Sequence, residues 1–152
     1  MKINELYRDV IIQNYNKPFN KGLLFKKKPK GYNDFIISYS KNIFCNEFIK
    51  IQIFFEIDKI LDIRYETEGC IILVSSSSLM SFFLKKTHLK LSLEKINNFL
   101  QMIQKKKFDS TLINKELYAF QNISSFPSKI NCVSMPWLLS LKIINKYIKN
   151  KI

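Results

Sequence analysis

Glycine is scarce: in 152 residues it occurs only at Gly22, Gly31 and Gly69, so no Walker P-loop or G-x-G-x-x-G turn is present and the usual nucleotide-binding chemistry is excluded. Histidine is scarcer still. His88 sits among Lys85, Lys86 and Lys90, in what reads as an exposed turn between helices, and a Ser–His–acid triad would have to be built on it. No run of about 18 consecutive apolar residues occurs, which removes a membrane span. No apolar leader follows Met1-Lys2-Ile3-Asn4, so the expectation is a soluble, cytoplasmic protein. Three cysteines, Cys45, Cys70 and Cys132, are an odd number and form no C-x-x-C pair, which argues against a disulfide scaffold. In a reducing compartment, cysteines spaced so widely read as buried hydrophobes, metal ligands or reactive thiols.

Acidic residues are also few, 12 against 25 Lys and Arg, for a formal net charge of +13. An acidic partner, a nucleic acid or an anionic surface is the first inference. Arginine, however, is present only as Arg8 and Arg64. Lysine supplies a point charge, whereas reading base edges and gripping phosphates two-handed favour arginine's planar fork. The expectation is therefore no nucleic-acid partner. A basic nucleic-acid-binding protein with merely buried cysteines stands as the rival reading, recognisable by a steep salt dependence of binding. The abundance of Lys, Ile, Asn and Phe beside a single Ala119 reads as compositional drift along the whole chain.

The length and 47% hydrophobic content suit one domain, residues 1–152, around one core. From Asn4 to about Asn16, Leu6, Tyr7, Val10 and Ile11 recur at helical spacing, and Pro18 stops the helix. Gly22, Pro29 and Gly31, with Lys26-Lys27-Lys28 between, read as a basic loop. From Phe35 to Ile63 the period changes to two. Phe35, Ile37 and Tyr39 alternate with Ile36, Ser38 and Ser40. Ile49, Ile51, Ile53 and Phe55 form a second such run, and Leu61, Ile63 and Tyr65 a third. These predict three strands in a meander, with Asp58-Lys59 at the tightest turn.

Helical sequence follows. Ile71 to Lys86 carries Ile72, Ser76, Leu79 and Phe83 on one face, and the run Ser75 to Ser78 suits close approach to a neighbour despite mediocre helix propensity. Ser92 to Ile103 predicts another helix capped by Ser92. A long connection from Lys105 to Ser125 holds at most a short helix. Trp137, Leu141, Ile144 and Ile148 line a C-terminal helix whose first turn takes Pro136. The fold class is α+β: a three-stranded antiparallel sheet covered on one face by helices.

Cys45 and Glu47 stand two apart where the second strand begins, so extended backbone points both to the face of Ile49, Ile51 and Ile53. A carboxylate aimed at the covered face is costly unless something pairs with it. Cys70 and Cys132 each precede a predicted helix, where backbone N–H groups and the helix dipole favour a thiolate. Should those helices cover one end of the sheet, three thiolates and a carboxylate converge. Such donors suit a tetrahedral zinc ion, and soft thiolates also suit an iron–sulfur cluster.

Several motifs in one order resemble the U-type iron–sulfur cluster assembly proteins (the NifU, IscU and SufU group), and within them the SufU-like branch. Leu6-Tyr7-Arg8-Asp9-Val10-Ile11, then Tyr15, Pro18, Asn20 and Gly22, is similar to that family's opening helix and Tyr-x-x-Pro-x-Asn-x-Gly turn. Glu66-Thr67-Glu68-Gly69-Cys70, followed by the serines and Met80, resembles its Glu-Gly-Cys segment and Ala/Ser-rich helix. Phe126-Pro127-Ser128-Lys129-Ile130-Asn131-Cys132, with Trp137 beyond, resembles its third cysteine motif. The likeness spans about Asn4 to Trp137 and is faint from Leu23 to Asp34 and from Lys105 to Ser125. Asn131, where the scaffold branch has histidine, and the long segment between Cys70 and Cys132 point to the SufU-like branch.

The resemblance implies a zinc site of Cys45, Glu47, Cys70 and Cys132, with Cys45 accepting persulfide sulfur from a SufS-like cysteine desulfurase and passing it to downstream iron–sulfur assembly proteins. At most, it implies a sulfurtransferase, with neither a nucleic-acid nor a membrane partner. The alternative within the family is a scaffold on which an iron–sulfur cluster is built on the three cysteines. There are departures: the family's Cys-Gly-Asp is Cys45-Asn46-Glu47 here, Lys129 stands for arginine, and Asn14 and Phe19 stand for histidine and arginine.

Overall fold

Period-two sequence becomes sheet and serine-rich apolar sequence becomes helix in the computed structural model, which describes residues 5–24, 34–42 and 46–151. Strands β1 (Asp34–Asn42), β2 (Glu47–Glu56) and β3 (Lys59–Glu68) form one antiparallel sheet in the order β1-β2-β3. Around it lie α1 (Glu5–Asn16), α2 (Ile71–Leu84), α3 (Leu89–Ile103) and α4 (Pro127–Asn150). No helix among the described residues is long and apolar enough to cross a membrane. The Lys26-Lys27-Lys28 run, with Pro29 and Gly31, lies outside the described residues.

Register explains which face is core. Ile49, Ile51 and Ile53 stand opposite Thr67, Tyr65 and Ile63 on one side and Ser40, Ser38 and Ile36 on the other. Ile49, Ile51, Ile53, Ile63 and Tyr65 are wholly buried under α2, which packs on β3, and α4, which packs on β1 and β2. In β1 the inward residues are therefore Ile36, Ser38 and Ser40, leaving Ile37 and Tyr39 exposed on the other face. α1 packs on α2, and α3 on α4. Trp137 anchors the helical layer, stacked on Phe99 with ring centres 4.0 Å apart.

Four local expectations need correction. The hairpin turn is Ile57-Asp58, one residue earlier than expected, because Lys59 already pairs with Glu56. Ile57 adopts a positive φ of 52°, unusual for a β-branched residue. Its carbonyl accepts from the Tyr147 hydroxyl (2.9 Å) and from Lys151, so contacts with α4 hold a turn that local preference does not. α3 begins at Leu89, with His88 as N-cap; Ser92 lies buried inside the first turn and donates to the Leu89 carbonyl. α4 begins at Pro127, and Pro136 lies in its interior, where burial overrides the missing N–H. Residues 105–126 hold three short 3-10 helices, Ser110–Leu112, Lys115–Phe120 and Ile123–Ser125, instead of one short helix.

The serines of α2 do more than leave room. Ser75 donates to the Ile11 carbonyl (3.1 Å), Ser76 to Val133 (2.7 Å), and Ser78 to Asn14 Oδ1 (2.6 Å), while Trp137 Nε1 donates to Ser76 Oγ (3.0 Å). A helix buried on all sides from Ile72 to Ser81 thus ties α1 and α4 together by hydrogen bonds that leave its serine hydroxyls satisfied. Residues 19–22 lie along β3. Arg64 donates to the carbonyls of Gly22 (2.8 Å) and Lys21 (3.2 Å) and to Asn20 Oδ1 (3.2 Å), and the Tyr65 hydroxyl donates to Phe19 O (2.7 Å). Asn20 (φ 58°) and Gly22 (φ 103°) take left-handed backbone in that turn, which gives the Asn-x-Gly spacing its physical reason.

Candidate metal centre

Glu47 is the first residue of β2, and the period of two turns it toward the helix-covered face that Ile49, Ile51 and Ile53 fill. It is 8% exposed. Both of its carboxylate oxygens are held: Oε1 accepts from the backbone N–H of Cys70 at 3.0 Å, and Oε2 from the Cys132 thiol at 3.1 Å. The pairing that a carboxylate on this face demands is met by two of the three other predicted site residues, Cys70 and Cys132.

Cys70 is the N-cap of α2, with extended backbone (φ −72°, ψ 169°), as the spacing predicts. It is half-buried, whereas Cys132 is buried. Cys132 corrects an expectation: it lies in the second turn of α4, which starts at Pro127, so no helix N-terminus stabilises its thiolate. Burial, and then the hydrogen bond to Glu47 and the nearness of Cys70, push the Cys132 thiol well above its ordinary pKa. Without a metal, it is a thiol that donates to a carboxylate.

One ligand atom from each of Glu47, Cys70 and Cys132 lies within 4.8 Å of the others. Donors sharing one tetrahedral zinc ion stand about 3.6 Å apart, given metal–ligand bonds of roughly 2.0–2.3 Å, so small side-chain shifts bring these three to one ion. Two soft thiols and one carboxylate on three different elements fit zinc. Cys45, the fourth predicted ligand, lies outside the described residues.

Other predicted features fall elsewhere. His88 is exposed beside Asp58 (Nδ1 to Oδ2, 3.8 Å) near the hairpin turn, at the opposite end of β2 from Glu47. Asn131 is exposed on α4 next to Cys132. Asn14, in the place of the family's histidine, accepts from Ser78 and donates to the Val10 carbonyl (2.9 Å). Sequence reasoning missed Gly69, against which the Glu47 stem lies. The available signal was its place in the Glu-Gly-Cys motif.

The chain is similar in sequence and fold to known proteins. The model of the NifU-like N terminal domain family matches residues 6–133. The zinc-dependent sulfurtransferase SufU of Bacillus subtilis (strain 168) is 31% identical over 135 residues, covering 89% of this chain and 86% of that protein. The iron–sulfur cluster assembly scaffold protein IscU of Streptococcus pyogenes serotype M1 is 26% identical over 136 residues, 90% of this chain and 80% of that one. A crystal structure of a putative iron–sulfur cluster assembly scaffold protein for the SUF system, from Fervidobacterium islandicum AW-1, shares the fold. Its TM-score is 0.69 at 22% identity, with 93% of each chain covered.

Proposed function

Because the chain belongs to the NifU-like N-terminal domain family, we propose that it is an iron–sulfur cluster assembly protein of the SufU kind, a zinc-dependent sulfur acceptor working with a cysteine desulfurase in the cytoplasm. The observation that carries this reading is the convergence of Glu47, Cys70 and Cys132 from β2, the start of α2 and the second turn of α4.

Glu47, Cys70 and Cys132 hold the zinc, with Cys45 as the fourth donor. Zinc, when bound, supplies a positive charge that keeps its thiolates deprotonated near neutral pH. Glu47 contributes a ligand already oriented by the Cys70 N–H, so one oxygen is anchored to the backbone. Cys45 is the acceptor. Its thiolate attacks the outer sulfur of the desulfurase persulfide; the sulfur–sulfur bond breaks, its electron pair leaves with the desulfurase cysteine as thiolate, and Cys45 carries the persulfide onward to the assembly proteins downstream. The exchange is redox-neutral and uses no nucleotide, consistent with a chain that has no glycine-rich phosphate loop.

The test is sulfur transfer from the desulfurase and labelled cysteine. The wild-type chain is expected to acquire label, and Cys45→Ala to acquire none above background. Equal labelling of both would overturn the acceptor role. The scaffold reading uses the same thiols with a cluster as cargo, and anaerobic purification separates the two: the relay predicts a colourless protein with one zinc per chain, the scaffold a brown one. The exposed Asn131 where a scaffold has histidine, and the long segment between Cys70 and Cys132, favour the relay.

A further inference from the structure

Gly69 is not in the left-handed region of backbone space, so its lack of a side chain is explained by space alone. A Cβ at this position lies 3.1 Å from Glu47 Cγ, 3.3 Å from Glu47 Cδ and 2.6 Å from Leu73 Cδ2. Leu73 Cδ2 is the tip of a flexible side chain, although a buried one. Glu47 is different, because both its oxygens are tied, to the Cys70 N–H and to the Cys132 thiol, and its stem has nowhere to go without breaking one of them.

We infer that Gly69 is a positioning residue of the metal centre: the bare Cα of Gly69 makes the slot in which the long Glu47 stem lies, so that the carboxylate reaches Cys70 and Cys132. This rests on the zinc reading and deepens it. The resemblance leads one to expect aspartate at this site, and here the longer glutamate is accommodated by backbone with no Cβ beside it. Any larger residue at position 69 pushes the stem and pulls the carboxylate off the two thiol-bearing elements.

The test is a double-mutant cycle of Gly69→Ala and Glu47→Ala. Every chain also carries Leu73→Val, which removes the Cδ2 atom and leaves Glu47 as the one close neighbour at issue. Zinc affinity is read by chelator competition, and the site by the absorption of bound cobalt(II). Gly69→Ala is expected to weaken zinc about 10- to 100-fold, the range for residues that orient a ligand. In the Glu47→Ala background it is expected to weaken zinc no further. Undiminished affinity in Gly69→Ala, or the full loss repeated without Glu47, overturns the inference. If the parent chain binds no zinc, the zinc reading fails by itself. The same cycle, read on urea midpoints of the metal-free chains, then decides Gly69: coupled shifts support the slot and additive shifts overturn it.

Discussion

Cys132 and Glu47, 85 residues apart in the chain, meet as thiol donor and carboxylate acceptor at 3.1 Å, and the second oxygen of Glu47 receives the Cys70 N–H at 3.0 Å. A single carboxylate thereby joins the end of the central strand to two helices before any ion arrives. The arrangement makes the site's dependence on each partner measurable.

Metal should stabilise the whole fold, since β2, the N-cap of α2 and α4 each carry one residue of the proposed zinc site. At free zinc a thousandfold above Kd, mass action adds about 4 kcal/mol, which for a chain of this size raises Tm by roughly 10 °C. Calorimetry with and without chelator is expected to show that difference in the wild type and a much smaller one in Glu47→Ala. Equal differences in both would remove Glu47 from the ligand set.

Ser76 joins α2 to α4 twice, donating to the Val133 carbonyl and accepting from Trp137 Nε1. Ser76→Ala leaves the buried indole N–H without an acceptor, a loss of about 1–3 kcal/mol. Urea unfolding followed by Trp137 fluorescence measures it directly; an unchanged midpoint would mean the indole has found another partner.

Burial pushes the Tyr65 phenol above its ordinary pKa, outweighing the lowering by its hydrogen bond with Ser78 and by Arg64. The folded chain therefore keeps this proton after the unfolded chain releases it. The associated stability is complete below the unfolded pKa of about 10 and is lost as pH rises from there toward the folded value. Wild-type stability should fall more steeply above about pH 10 than that of Tyr65→Phe, approaching about 1.4 kcal/mol per pH unit, the linkage slope for one proton. Parallel curves would show that the phenol ionises alike in both states.

Arg64 holds residues 20–22 through three separate donations. Arg64→Lys cannot reproduce the fork. Losing about 1 kcal/mol of local stability should speed tryptic cleavage after the exposed Lys21 roughly fivefold. Mass spectrometry of timed digests gives the rate, and no acceleration would assign the hold to other contacts.

The sheet was legible because alternation is a local signal: Ile49, Ile51, Ile53, Ile63 and Tyr65 declare their face by period alone, and Glu47 inherits that face from its parity with them. Cys70 was legible as the residue before a long apolar run. The start of α4 was not, because Ser128, Asn131, Cys132, Val133 and Ser134 are poor helix formers and burial against the sheet and α2 overrides their propensity. The same error misplaced Cys132 at a helix terminus. Ile57 could not be read as a turn residue, since its positive φ rests on Tyr147 and Lys151, residues far along the chain. The serines of α2 were legible as small, but their partners on α1 and α4 are tertiary facts.

The order of the proposed ligands along the polypeptide has a consequence for biosynthesis. Glu47 and Cys70 leave the ribosome with the sheet and the start of α2, long before Cys132 follows on α4. A nascent chain at that stage offers an ion only part of its coordination shell, so secure loading waits until translation has carried α4 clear of the exit tunnel.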